Sequence, residues 1–490
     1  MKRFFAQILI FTLAFCYTSC SEDSPSEEND VKVSSISIIG ETITDGGSSQ
    51  LSVQVLPTNA TNKSVNWWVS NTAVATISNT GLLTAVSNGS VVVQAIAKDG
   101  SGAYGERSFS ISGVGSIPDN IVQTSQEILQ AIANASAGDI IYIQGGEYEF
   151  SSTIQISGSG TNGNPIILMA NPEATERPKF NFSSMTENSN NRGVYLSGDY
   201  WHIKGVDIFG AGDNGMYITG DNNLIEFCTF SENADSGLQI SSGGSNNTIL
   251  NCDSYYNADS TLENADGFAC KLTAGSNNKF IGCRAWQNLD DGWDGYLRDN
   301  DDITTYYENC WAFNNGYLMD GNPGAGDGNG FKTGGSDDKT LKHHGVYKNC
   351  IAAGNIYDGF DHNSNRGDVE LYNCSAYNNG RNINFSSTNI ANFLLIKNTL
   401  SFSGVNSDSY SATQTDISHN GWQSGLVTDA SDFVSVDINL LASPRNADGS
   451  LPDIDFLKLV STSDLIDQGA DVGLPFSGTA PDIGAFEFQD

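Results

Sequence analysis

Four aspartates and one lysine in the middle of the chain have the residue types and spacing of a metal-assisted proton-abstraction site. Asp266, Asp290, Asp291 and Asp294 fall within residues 264–295, NADGFACKLTAGSNNKFIGCRAWQNLDDGWDG, and Lys332 lies 38 positions beyond Asp294. Converging carboxylates repel one another, so four of them call for a cation, and hard oxygen donors favour calcium over a transition metal. A lysine on a strand is ordinarily a solvated charge, but Lys332 directly follows the aromatic Phe331. A dication close to it is expected to disfavour the ammonium form and lower its pKa. A base beside a Lewis acid suits removal of a proton α to a carboxylate. The cation binds a uronate and stabilises charge developing on it, neutral Lys332 takes the C5 proton, and the C4 oxygen leaves.

Such a site needs a scaffold that stacks short strands, and the sequence carries one. Gly193, Gly215, Gly237, Gly267, Gly292, Gly330, Gly359 and Gly380 each read as the residue before a strand, with gaps of 22, 22, 30, 25, 38, 29 and 21. Periods in the twenties with longer insertions mark a solenoid whose coils bury their faces only by stacking. A second column fixes the register: Cys228, Cys252, Cys283, Cys310, Cys350 and Cys374 are each followed five residues on by an asparagine, from Asn233 to Asn379. An inward cysteine is a small buried hydrophobe, and an asparagine at a bend can hydrogen-bond its equivalent on the next coil. The expectation is an all-β chain dominated by a right-handed parallel β-helix. In its register Asp266 and Asp291 share one slot, while Lys332 falls in the column of Asp294 one coil further on. Stacked strands lie about 4.8 Å apart, close enough for carboxylates on adjacent coils to share one ion.

The N-terminus sets an expected address. Lys2 and Arg3 precede an apolar run from Phe4 to Phe15, too short for a stable membrane span, and Cys20 ends it. With the acidic tract that follows, this resembles a bacterial lipoprotein: residues 1–20 are a signal peptide, Cys20 the lipidated first residue of the mature chain, and 21–30 a linker. The chain is then an outer-membrane or cell-surface lipoprotein, membrane-associated only through its anchor, with periplasmic or secreted forms as alternatives. Acidic residues outnumber basic ones 57 to 23, a net charge of −34 that excludes nucleic acid as a partner. An anionic polymer remains open, provided a metal and lysines reverse the potential locally. Of nine cysteines, seven lie in the coils, and six share one inward column, which argues for buried thiols over a disulfide framework.

Residues 31–113 change pattern to short alternating strands separated by turns, the signature of a small β-sandwich. The run LSVQVLPTNATNKSVNWWVSNTAVATISNTGLLTAVSNGSVVVQAIAKDGSG resembles a bacterial immunoglobulin-like domain of group 2. Such a domain serves either in carbohydrate or surface adhesion or as a spacer that holds the next domain off the membrane. A linker at 114–119 leads to the β-helix at 120–490, which opens with a helix: Thr124 as N-cap, Glu127 three residues on, and Ile128, Leu129 and Ile132 on one face. The coils are expected to run to about Phe385, and the irregular remainder to pack along the solenoid and close its far end. The glycine-rich stretch from Gly321 to Gly330 reads as an insertion at the rim of the active face. Lys339, Lys342, His343, His344 and Lys348 form a locally basic region without an assigned role.

The motifs AlaAspGlyPhe at 265–268, AspAspGlyTrpAsp at 290–294 and GlyAsnGlyPheLys at 328–332 resemble those of polysaccharide lyase family 9. The resemblance implies a calcium-dependent lyase of uronate-containing pectic polymers, with Asp266, Asp290, Asp291 and Asp294 as calcium ligands and Lys332 as the base. The implied partner is an acidic plant cell-wall polysaccharide, pectate or rhamnogalacturonan I, cleaved by a monomer. A rhamnogalacturonan I lyase is the alternative within the family. A β-helix hydrolase using Asp290 and Asp291 as acid and base, or a non-catalytic glycan-binding surface protein, are the readings outside it. The N-terminal reading has its own check: Cys20→Ala should release the chain from the membrane fraction or block its maturation, and a wild type already soluble and unlipidated refutes it.

Overall fold

The computed structural model describes residues 31–44, 46–113 and 121–489; the expected signal peptide, Cys20 and the expected linkers at 21–30 and 114–119 lie outside them. The chain divides into two compact units, Met1–Ser116 and Ile117–Asp490. In the first, antiparallel strands Val65–Val69, Gly89–Ala97 and Tyr104–Ile111 form one sheet. The two-residue period of Gly89–Ala97 turns Val91, Val93 and Ala95 into the core and leaves Gln94 and Ile96 on the outside. Strands Ser35–Ile39 and Ser52–Leu56 pair separately, as do Ser48–Gln50, Ala75–Ile77 and Leu82–Ala85. Ile36, Leu51, Val93 and Phe109 join these layers in one core.

The second unit opens with the helix Ser125–Asn134. Thr124 Oγ1 accepts from the Glu127 amide and the Glu127 carboxylate accepts from the Thr124 amide, a complete capping box. Ile128 and Ile132 enter the core, whereas Leu129, read from sequence as part of that face, is 36% exposed. Parallel strands then build three sheets of twelve, ten and ten strands, each coil adding one strand to each sheet. Coils continue past the expected Phe385: Ala391–Lys397, Leu400–Phe402, Ser409–Tyr410 and Ala412–Ser418 still pair in parallel with their predecessors.

The five-residue spacing of cysteine and asparagine has a backbone cause. The residue before each column cysteine is left-handed, as at Phe227 (φ 52°), Asn251 (52°) and Asn309 (54°), and so is the residue before each column asparagine, as at Glu232 (55°), Tyr256 (58°) and Asn314 (52°). Two such bends bracket a three-residue strand, for example Thr229–Ser231. Each asparagine donates Nδ2 to Oδ1 of the next, at 2.9 Å for Asn233–Asn257, 2.8 Å for Asn257–Asn288, 3.0 Å for Asn288–Asn315, 2.9 Å for Asn315–Asn355 and 2.8 Å for Asn355–Asn379. Asn379 donates in turn to Asn382 at 2.9 Å. That last residue corrects the glycine column. Phe360 pairs with Ile383, so the slot of Gly359 is continued by Asn382 and not by Gly380. Glycine is required deeper in the stack: a Cβ at Gly267 would lie 2.7 Å from Ala285 Cβ and 2.7 Å from the Gly292 carbonyl oxygen.

Inside the third sheet Phe268, Trp293, Phe331 and Phe360 stack at centroid distances of 5.0, 4.8 and 5.0 Å. Tyr307 and Tyr347 of the first sheet meet this column edge-on. All seven described cysteines are buried and free. The C-terminal segment packs through Phe433, Leu441 and Phe456 onto Trp311, Phe313 and Ile351 of the second sheet, along the side of the helix. Arg445 fixes it there, donating Nη2 to Asp253 Oδ1 at 2.7 Å while Arg284 Nη2 holds Oδ2 at 2.8 Å. The ladder yields a direct expectation. Asn315→Ala strands the buried amide N–H of Asn288 and one of the two Nδ2 hydrogens, the other still donating to the Ser254 carbonyl, and lowers stability by about 2 kcal/mol. Chemical denaturation checks this against the wild type.

Candidate active site

The proposed site residues stand on the outer face of the third sheet, directly over the aromatic column. Strands Phe268–Cys270, Trp293–Asp294, Phe331–Lys332 and Asp358–Asp361 align Ala269, Asp294, Lys332 and Asp361 in one outward column. Their inward neighbours are the stacked Phe268, Trp293, Phe331 and Phe360, so burial of each ring fixes the direction of the polar residue after it. The slot before each glycine forms a second column that is hydrogen-bonded coil to coil. Ser236 Oγ donates to Asp266 Oδ2 at 2.8 Å, and the Asp291 amide donates to Asp266 Oδ1 at 3.3 Å. Asn329 donates its amide and Nδ2 to Asp291 Oδ1 at 2.9 and 2.8 Å.

Asp266, Asp290 and Asp291 each offer a carboxylate oxygen within 4.8 Å of the others. Asp294 stands beside this group rather than within it, its Oδ1 accepting from the Tyr296 amide at 2.9 Å and its Oδ2 facing Lys271 Nζ at 3.3 Å. Lys332 Nζ is 3.0 Å from Asp291 Oδ2 and 3.9 Å from Asp294 Oδ1. The shorter contact is an ion pair by distance but lies off the hydrogen-bonding direction, leaving the buried Asp291 Oδ2 without a hydrogen-bond partner. Two residues join the site that sequence reasoning missed. Lys271 Nζ meets Asp266 Oδ2 at 2.6 Å, and Asp327, from the glycine-rich insertion, donates its amide to Asp290 Oδ1 at 2.8 Å and brings its carboxylate to 3.7 Å from Lys332. Lys271 left no signal in spacing; it reaches the site because Leu272 pairs with Leu297, setting it beside Tyr296.

Electrostatics separate these groups. Burial, then Asp291 and Asp266, push Asp290 up to about 9. Burial and Asp266 push Asp291 up to about 7 against the pull of Lys332. Asp294 is held below the usual range because Lys332 and Lys271 outweigh its burial. Burial alone would lower Lys332, yet Asp291, Asp294 and Asp290 hold it well above the ordinary lysine value. The lowering expected from sequence requires a bound dication; the carboxylates alone act in the opposite direction. Whether the residues fit a divalent ion is a separate test. Oxygens bound to one calcium at about 2.3–2.6 Å stand no more than about 5.2 Å apart, and the three carboxylates meet that limit. Oxygen-only donors and the orphaned Asp291 Oδ2 suit a hard cation.

The locally basic region is dispersed by the fold. His343 is buried, its Nε2 2.8 Å from Thr305 Oγ1 and its Nδ1 2.7 Å from the Gly295 carbonyl oxygen. His344 pairs with Asp302 and Asp368, and Lys339 lies over the Tyr296 ring.

Residues 109–398 match the family described as Pel9A-like, right handed beta helix region. The chain belongs to this family. Residues 32–106 match the bacterial Ig-like domain (group 2). This Pel9A-like chain is 36% identical over 380 residues to pectate lyase L of Dickeya chrysanthemi, covering 75% of the chain and 87% of the relative. It is 40% identical over 367 residues to pectate lyase L of Paenibacillus polymyxa, covering 70% and 79%. Among solved structures, pectate lyase Pel9A superposes with a TM-score of 0.66 at 36% identity, covering 74% of the chain and 90% of that structure. A rhamnogalacturonan lyase superposes at 0.62 with 28% identity, covering 68% and 91%. The Pel9A-like chain is thus a right-handed β-helix polysaccharide lyase with an N-terminal Ig-like domain.

One titration in the wall of the site is testable. Burial lowers His343 from 6.5 to about 4, so between those values the unfolded chain binds a proton that the folded chain rejects. Its contribution to stability is complete above about pH 6.5 and is lost as pH falls towards 4. Denaturation midpoints from pH 7 to 4.5 should fall less steeply in His343→Gln than in the wild type; identical slopes would exclude the effect.

Proposed function

We propose that the chain is a calcium-dependent lyase of pectate, cleaving the uronate polymer by β-elimination with Lys332 as the base. The observation that carries this reading is the juxtaposition of Lys332 with the carboxylate group: 3.0 Å from Asp291, on the coil next to Asp294. The pectate lyases among its relatives support the substrate class. A bound calcium would be held by Asp266, Asp290, Asp291 and Asp294, and would supply Lewis-acid stabilisation of charge developing on the substrate carboxylate.

Lys332 is oriented by the aromatic column beneath it and points along the face between Asp294 and Asp361. As a neutral amine it takes the C5 proton; the freed electron pair forms the C4–C5 double bond, and the C4–oxygen bond breaks, so that the non-reducing-side fragment leaves with the glycosidic oxygen, which takes a proton from water, and the reducing-side fragment keeps the unsaturated uronate. The carboxylates that raise Lys332 in their bare form are the ones assigned to the metal, so loading the site removes the pull that keeps the amine protonated. Cleavage consequently rises towards alkaline pH. Lys271 and Asp327 line the approach and set the local charge on either side of the base. The hydrolase alternative gives no role to Lys332.

De-esterified homogalacturonan should yield products with the ultraviolet absorbance of an unsaturated uronide, abolished by chelator and restored by calcium better than by magnesium. Lys332→Ala should lose activity by roughly a thousandfold or more at every pH while keeping the folded β-helix and its calcium affinity. Full activity in excess chelator would revive the hydrolase reading, and substantial activity in Lys332→Ala would remove the lysine from its role. Product from rhamnogalacturonan I alone would move the assignment to that backbone.

A further inference from the structure

The Ig-like unit carries a surface that the lyase reaction does not use. On the sheet of Val65–Val69, Gly89–Ala97 and Tyr104–Ile111, two rows of outward residues run across the strands: Trp68, Gln94 and Glu106 in one, Asn66, Ile96 and Tyr104 in the other. Trp68 is 52% exposed and Tyr104 58%, with Ile96 between the strands at 36%. The polar members are organised: Gln94 Nε2 donates to Glu106 Oε1 at 2.8 Å, leaving the remaining amide and carboxylate valences directed outward. Trp68 and Tyr104 are two strands apart and offset by two residues, which places them about 12 Å apart.

We propose that this face is a binding platform for an uncharged polysaccharide. Sugar rings present apolar C–H faces and equatorial hydroxyls, and the two rows offer rings for the first and amide and carboxylate groups for the second. Charge selects the class. Glu106 is the only charged residue in the two rows, and Lys98 and Asp99, which follow the central strand, are of opposite sign; Arg107 turns away to stack on Phe109 and to donate to the Ile38 carbonyl. Residues 31–113 as a whole hold four basic and four acidic residues, against −34 for the chain. A polyanion or an anionic lipid surface gains nothing from so neutral a face, and three apolar side chains are too few for a second copy, whose interface needs about 800 Å² per partner. The placement has a use. A strongly acidic enzyme is repelled at long range by a polyanion, and retention on a neutral neighbouring polymer raises its effective concentration there.

The test uses the full chain and three insoluble neutral polysaccharides, swollen cellulose, xylan and galactan, with polygalacturonate gel and anionic phospholipid vesicles alongside. Wild type should be retained by at least one neutral polymer, and Trp68→Ala with Tyr104→Ala should weaken that retention at least about tenfold. Leu56→Ala removes an equally exposed apolar residue at 45% from a different sheet and should change nothing. Release of unsaturated product from soluble polyuronate should be identical in all variants. No retention by any neutral polymer, equal retention of the double variant, equal loss in Leu56→Ala, or retention only by the gel or the vesicles would each overturn the proposal. Failure of the lyase reading would appear separately, as absence of ultraviolet-absorbing product.

Discussion

The structure depends on keeping parallel coils in exact vertical alignment, and the asparagine ladder is the interaction that does it. Parallel stacking leaves each coil free to slide by two residues without losing strand hydrogen bonds, since a two-residue slip keeps the inward and outward faces. The bend asparagines remove that freedom, because each side-chain amide donates to the equivalent oxygen on the next coil, and from Asn288 to Asn379 also to a backbone carbonyl of an earlier coil. The bends themselves are unfavourable: residues such as Glu232 and Tyr256 sit in the left-handed region, at about 1–2 kcal/mol each. The ladder and the burial of the strands between the bends offset that cost.

Alignment is what makes the site. No single coil holds a cation-binding set; Asp266 comes from one turn, Asp290, Asp291 and Asp294 from the next, and Lys332 from a third. A slip of one coil by two residues would separate Asp291 from Asp266 and carry Lys332 away from both. The aromatic column performs the corresponding task across the sheet, since rings stacked at about 5 Å admit one in-register arrangement. The site thus concentrates repulsive charge at the place where the scaffold is stiffest. Lys271 and Lys332 share the load of neutralising it.

The parts of this architecture that repeat were legible in the sequence. Cysteine and asparagine at fixed spacing, glycine before an aromatic, and aspartates in equivalent slots all report on stacking, and stacking brings equivalent positions together. What does not repeat was hidden. Gly380 looked like a member of the column, yet Asn382 fills the slot, because the final ladder residue takes over the bend. Lys271 and Asp327 arrive through a strand end and a loop, whose course depends on contacts far apart in sequence. Leu129 appeared to belong to the helix's buried face, but only two of its isoleucines reach the core. The charge state of Lys332 was not legible for a different reason: the carboxylates that raise it without an ion are the same ones the sequence offers as ligands, so its protonation turns on whether a cation is bound.

The cysteine column has a consequence for biosynthesis. Adjacent members are near neighbours, with the Cys228 amide donating to Cys252 Sγ at 3.4 Å, and backbones about 4.8 Å apart lie within the span a disulfide can bridge. In the finished solenoid these thiols are shielded, with burial raising Cys252, Cys283 and Cys310 far above the ordinary thiol value. A chain caught with half its coils assembled displays the rest as a row of accessible sulfurs. Its resistance to air oxidation is therefore acquired coil by coil, and recoverable yield in an oxidising milieu is governed by how fast the stack closes rather than by how stable it is once complete.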